Sequence, residues 1–152
     1  MISAELMSIL NNNTNSFIDQ VKSNLDSTGT TATGESKNSI RYEITEEGSK
    51  IVLTVFGKPY FAVVETGRKP GGGVSRNMIE NITKWVAVRG LEANMVWGIA
   101  KKIDKEGTAL FRAGGRTDIY TDLKESFADQ IFKEVVEGYA DQLFKKAILS
   151  FE

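Results

Sequence analysis

Glu65 is the acid that stands in an apolar setting, inside "PYFAVVETGRKPGGG" (59–73) and three residues before Arg68. Such a carboxylate can move a proton, hold a cation or accept bonds from backbone N–H groups. Acid–base chemistry would need a second carboxylate converging on the same pocket with a different pKa. The chain has no Cys and no His. That excludes thiolate zinc sites, Cys nucleophiles and the imidazole that best matches proton transfer near neutral pH. Any catalysis would rest on carboxylates, Lys or Tyr. The structural reading of Glu65 is an acid that accepts bonds from the N–H groups of its own loop and pairs with Arg68 or with a cation of a neighbouring subunit. Asp118 and Asp122 flank Tyr120 and read as helix caps rather than metal ligands.

The glycine-rich loop "GRKPGGGVSRN" invites a phosphate reading that its spacing defeats. Gly67 and Gly72 have the first spacing of a P-loop, but Gly73 and Val74 stand where Lys and Ser/Thr are required. The dinucleotide pattern also fails, because no third Gly falls at the right offset from Gly71 and Gly73.

Charge is unevenly spread. Residues 1–66 carry 5 basic and 8 acidic side chains, residues 67–116 carry 10 and 4, and residues 117–152 carry 4 and 8. A basic middle between acidic ends suits self-association through opposite charges, or a patch for phosphate. Arg68, Lys69, Arg76, Lys84, Arg89, Lys101, Lys102, Lys105, Arg112 and Arg116 make up that middle. They support an alternative reading, a nucleic-acid-binding module built on 67–116 with a salt-dependent, sequence-blind affinity. The blander reading of the same run is a set of solvated helix faces.

At 152 residues, 41% apolar and 26% charged, the chain reads as one domain, 1–152, with a real core. No apolar run approaches the roughly 18 residues of a membrane span, and no secretory signal opens it. Residues 1–26 predict a helix, with Leu6, Leu10, Phe17, Val21 and Leu25 on one stripe and a fray near "NNNTN" (11–15). Residues 27–39 are small and polar and predict a flexible arm. Residues 40–66 predict a hairpin region. "SIRYEIT" alternates, with Ile40, Tyr42 and Ile44 on one face, and "IVLTVFG" is apolar on both faces, as a more central strand is. The segment 60–66 fits a third strand or a short helix equally well.

The loop 67–77 follows, and the helical remainder, 78–152, holds three helices. The first has Ile79, Ile82 and Val86 on one face and Gly90 at its C-terminal cap, and the second carries Val96, Ile99, Ala100 and Ile103. Trp85 and Trp97, one in each, are expected to pack on the hairpin or on each other. The last and longest helix is expected to start at Asp122 with a capping box ("DLKE"). It has one apolar row at Leu123, Phe127, Ile131, Val135, Tyr139 and Leu143, and a second at Phe132, Val136 and Ala140. The fold class is therefore α+β, a small antiparallel hairpin or sheet packed by helices, with a long C-terminal helix and a flexible Gly-rich loop.

In order, a helix, "TATGESKNSI", two strands and "PYFAVVETGRKPGG" resemble the head–tail joining proteins of tailed bacteriophages, the neck or tail-completion proteins. A "TG-x-L-x-x-S-I"-like segment corresponds to Thr33, Gly34, Ser39 and Ile40. A "Y-A-x-x-V-E-x-G-T"-like segment corresponds to Tyr60 or Phe61 with Ala62, Val64, Glu65 and Gly67. The resemblance covers about 28–73 and departs at Ser36, where Leu is usual, and at Arg68, where Thr is.

The resemblance implies a structural virion protein with no catalysis, cofactor or metal. It would be a ring of six or twelve copies joining the portal or its adaptor to tail proteins, assembled in the host cytoplasm and located in the virion neck. Glu65 would brace the base of the loop, which Gly67 begins. The loop carrying Arg68, Lys69, Gly71, Gly72 and Gly73 would gain shape from adjacent copies or rings. Arg68, Lys69 and Arg76 would face the DNA passage, in non-specific contact with packaged DNA.

Overall fold

The computed structural model describes residues 2–29 and 34–149; the side chains of Tyr60 and of residues 142–149 are not described. Thr33 of the resemblance and part of the arm therefore lie outside the described residues.

Helix α1 (Ala4–Ser27) starts where Ser3 accepts the Leu6 N–H at 3.2 Å. It buries Leu6, Leu10, Ile18, Val21 and Leu25. The fray expected at "NNNTN" does not occur, because those polar residues are its connectors. Thr14, fully buried, returns its hydroxyl to the Leu10 carbonyl at 2.6 Å. Asn13 donates both to Ile9 O, at 2.9 Å, and to the Glu134 carboxylate, at 2.7 Å. Asn11 accepts from the Tyr42 hydroxyl at 2.8 Å. Tertiary bonds here outweigh poor intrinsic propensity, a matter of tenths of a kcal/mol per residue.

The arm is partly structured. Helix α2 (Glu35–Asn38) is held by Lys37 to Asp26, and Glu35 bridges Lys58 and Lys84, each at 2.9 Å. Strands β1 (Arg41–Glu47) and β2 (Lys50–Phe56) form a two-stranded antiparallel sheet, from Arg41 opposite Phe56 to Glu47 opposite Lys50. Tyr42 and Ile44 share a face with Leu53 and Val55, as the alternation predicts. β2 is an edge strand rather than a central one: its other edge has no partner among the described residues, and Ile51 and Val55 remain exposed. The open choice at 60–66 resolves as a 3-10 helix (Pro59–Val63), with Pro59 at its first turn.

Helices α3 (Arg76–Val88) and α4 (Met95–Glu106) pair to bury Met78, Ile82, Val86, Val96 and Ala100. Gly90 (φ 66°) stops α3 in a Schellman motif, its N–H on Ala87 O and that of Leu91 on Val86 O. Trp85 and Trp97 do not pack inward; they are 37% and 59% exposed, with the Arg89 guanidinium over Trp85. The one-turn α5 (Ala109–Arg112) leads to α6 (Thr121–Leu149). α6 lies along α1, with Phe17 stacked on Phe127 at 4.6 Å. A second core gathers Ile18, Val21, Leu25, Ile40, Val64 and Ile119 where α1, the hairpin and the start of α6 meet. The architecture is α+β and mostly helical, with a long C-terminal helix.

Candidate functional site

Glu65 is 3% exposed and lies beneath the start of α6. Its Oε1 accepts the backbone N–H groups of Ile119, Tyr120 and Thr121 at 3.1, 2.7 and 2.9 Å. Its Oε2 accepts the Thr121 hydroxyl. The carboxylate therefore takes the place of an N-cap side chain and sits at the positive end of the α6 dipole. The Glu65 carbonyl accepts the Arg116 N–H at 2.8 Å, so backbone and side chain both grip 116–121.

Burial alone would push the Glu65 carboxyl up; the bonds from Thr121, Tyr120 and Ile119 outweigh it and leave its pKa lowered. Burial, with the Glu65 charge beside it, raises Tyr120, which stacks on Phe61 at 5.4 Å under the Lys124 ammonium. Two expectations change. The partners of Glu65 come from 119–121, not from its own loop, and Arg68 turns away to donate to Gly73 O at 2.9 Å. Asp122 does not cap α6; it lies in the first turn, after Thr121.

The glycine-rich loop is fastened by its own chain rather than left without shape. Arg68 and Thr108 are tied by two bonds: the Arg68 N–H donates to the Thr108 hydroxyl at 3.0 Å, and the Arg68 carbonyl accepts the Thr108 N–H at 2.9 Å. Gly71 N–H donates to Asp104 O at 2.8 Å, and Gly73 N–H to the Asp104 carboxylate at 2.7 Å. Gly67 (φ 72°) lies against α5, where an added Cβ would stand 2.6 Å from the Thr108 hydroxyl. Gly72 lies over the Arg68 guanidinium, and Ser75 caps α3. Within one chain these bonds tie the loop to α4 and to the start of α5.

Four of the ten basic residues of the middle are ion-paired. Arg76 pairs with Glu80, Lys84 with Glu35, Arg112 with Glu106 and Arg116 with Asp118. The Lys84 and Lys58 ammoniums hold Glu35 at about 2. Lys69, Lys101, Lys102 and Lys105 make no ion pair among the described residues, and the last three share α4 with Trp97. The sequence singled out the run of charges; it did not separate paired from unpaired ones, which takes tertiary partners.

The open groove between α1 and α6, lined by Asn13, Phe17, Gln20, Leu123, Phe127 and Gln130, holds about 150 Å³, less than the roughly 300 Å³ at which ligand pockets begin. Among the described residues, no group of three or more acids is placed to hold a metal, and no helix is long and apolar enough to cross a membrane.

The side of α6 that faces away from α1 carries residues of both apolar rows read from the sequence. Phe132, Val136 and Tyr139 are 72%, 49% and 53% exposed there, while Phe127, Glu134 and Gly138 face α1. α6 thus presents apolar residues on two sides, one against α1 and one exposed. No family model, no curated protein and no solved structure matches this chain.

Proposed function

We propose that this protein is a structural subunit of a tailed-bacteriophage neck, a ring-forming connector or tail-completion protein between portal and tail. The observation that carries the reading is the two-faced helix α6, whose outer row Phe132, Val136 and Tyr139 is left for another chain to cover. The resemblance over about 28–73 points the same way, and Glu65, the buried acid within it, acts as a helix cap. The ring has six or twelve copies, adjoins portal or adaptor and tail proteins, and belongs to the virion. Negative-stain imaging of the purified chain, alone and with a portal or tail partner, tests it: closed rings support it, and isolated monomers under both conditions overturn it.

A second reading has its own observation, the unpaired Lys101, Lys102 and Lys105 beside exposed Trp97. Ammoniums for phosphates and an indole for a base are the parts of a nucleic-acid contact. A monomer that retains DNA, with an affinity falling steeply as salt rises, favours this reading over the ring.

A further inference from the structure

The outer faces of α6 and α4 complement each other in chemistry and in order. Along α6, Asp122, Glu125, Asp129, Phe132, Val136 and Tyr139 recur at alternating steps of three and four, the spacing of a helix seam, and all six are exposed. The first three are acidic and the last three apolar. Along α4 the order is opposite. Met95 and Trp97 come first, exposed and apolar; Lys101, Lys102 and Lys105 follow, exposed and without an ion pair among the described residues. Gly98, on the same side, has open space above it, so a partner can approach closely there.

Within one chain these faces are not used on each other: α6 lies along α1, and α4 along α3. We propose that α6 of one copy docks antiparallel on α4 of the next. Only the antiparallel arrangement sets Phe132, Val136 and Tyr139 against the Trp97 end of α4 while it sets Asp122, Glu125 and Asp129 against the lysines. At the rise of an α-helix the six residues of α6 span about 26 Å and Trp97 to Lys105 about 12 Å, so α4 covers the middle of the seam, where acidic gives way to apolar. Two different patches joined head to tail make a heterologous contact, the kind that closes into a ring. The inference rests on the ring reading and supplies its interface.

The test is a charge exchange read by sedimentation velocity. K101E/K105E and E125K/D129K each place like charges across the contact and weaken self-association by roughly tenfold or more. Mixed together, the two variants restore opposite charges at every junction and co-assemble into alternating rings, which six or twelve copies allow. A wild-type oligomer that persists in both variants overturns this interface and leaves the ring reading standing. A wild type that stays monomeric at every attainable concentration, alone and with a portal or tail partner, overturns both. K101E/K105E that loses DNA retention but associates normally assigns the basic face to nucleic acid and also overturns the proposal. Because the chain has no Cys, K105C/D129C gives an independent readout. Oxidation yields a ladder of cross-linked copies under denaturing, non-reducing conditions if the faces meet; a lone monomer band contradicts the docking even if a charge variant folds poorly.

Discussion

The carboxylate of Glu65 accepts both the backbone N–H and the side-chain hydroxyl of Thr121, 56 residues further along the chain. With the N–H groups of Ile119 and Tyr120, these bonds make Glu65 the N-terminal cap of the longest helix. The residue that most resembled a catalytic acid thus joins the hairpin region to α6. It sets the direction in which α6 leaves the core and so where its outer face is presented.

Replacing Glu65 with Ala leaves three amides at the start of α6 without their acceptor and removes a charge from the helix N-terminus. The expected loss of stability is about 2–4 kcal/mol. Glu65→Gln keeps an acceptor oxygen and loses the charge, for about 1–2 kcal/mol. Urea unfolding followed by circular dichroism checks both, and an Ala variant as stable as wild type would show that the cap contributes nothing.

Acidification should act through the same group. The folded pKa of Glu65 is lowered from 4.5, so its contribution is complete above that value and disappears as pH falls through the lower folded one. Glu35, held at about 2 by Lys84 and Lys58, works in the same direction, with an effect that salt screens because it is exposed. The urea midpoint of the wild type should fall on acidification below pH 4.5, and Glu65→Gln should show a shallower fall. Parallel pH profiles would contradict the assignment.

Periodicity carried much of this architecture. The stripe of α1, the alternation of β1, the stop at Gly90 and the four-residue spacing of α6 each follow from local pattern. What stayed hidden depends on partners distant in sequence. "NNNTN" reads as a helix breaker until Asn11 meets Tyr42 and Asn13 meets Glu134. "IVLTVFG" reads as a central strand because composition records apolarity and not the absence of a third strand. Glu65 could be singled out as an odd acid, but its partners at 119–121 have no signature within ten residues of it. The glycines of 67–73 suggested looseness, whereas Asp104 and Thr108, from beyond the loop, fasten it.

Gly67 and Gly71 should part company on substitution by Ala. Both have positive φ, 72° and 84°, yet a Cβ at Gly67 would meet the Thr108 hydroxyl at 2.6 Å and Phe111 Cα at 2.9 Å, while one at Gly71 meets nothing within 4 Å. The expected costs are about 2–4 kcal/mol for Gly67→Ala and about 1 kcal/mol for Gly71→Ala. Thermal melts of the two variants distinguish them; equal losses would argue against the packing of the loop on α5.

Indole exposure offers a check on the α4 face. In a Trp85→Phe background the remaining Trp97 should emit as a water-exposed indole in dilute protein and be readily quenched by acrylamide. Concentrating the protein into its oligomer should shield it. Quenching that is unchanged by association would remove α4 from the interface.

Native mass spectrometry of the purified chain tests the central claim most directly, that α6 is built to be covered by another copy. The account predicts one closed species of six or twelve chains, with Phe132→Ser/Val136→Ser returning it to the monomer while the fold is retained. A wild type found as a single chain across the whole concentration range, or an assembly indifferent to those two substitutions, would contradict it.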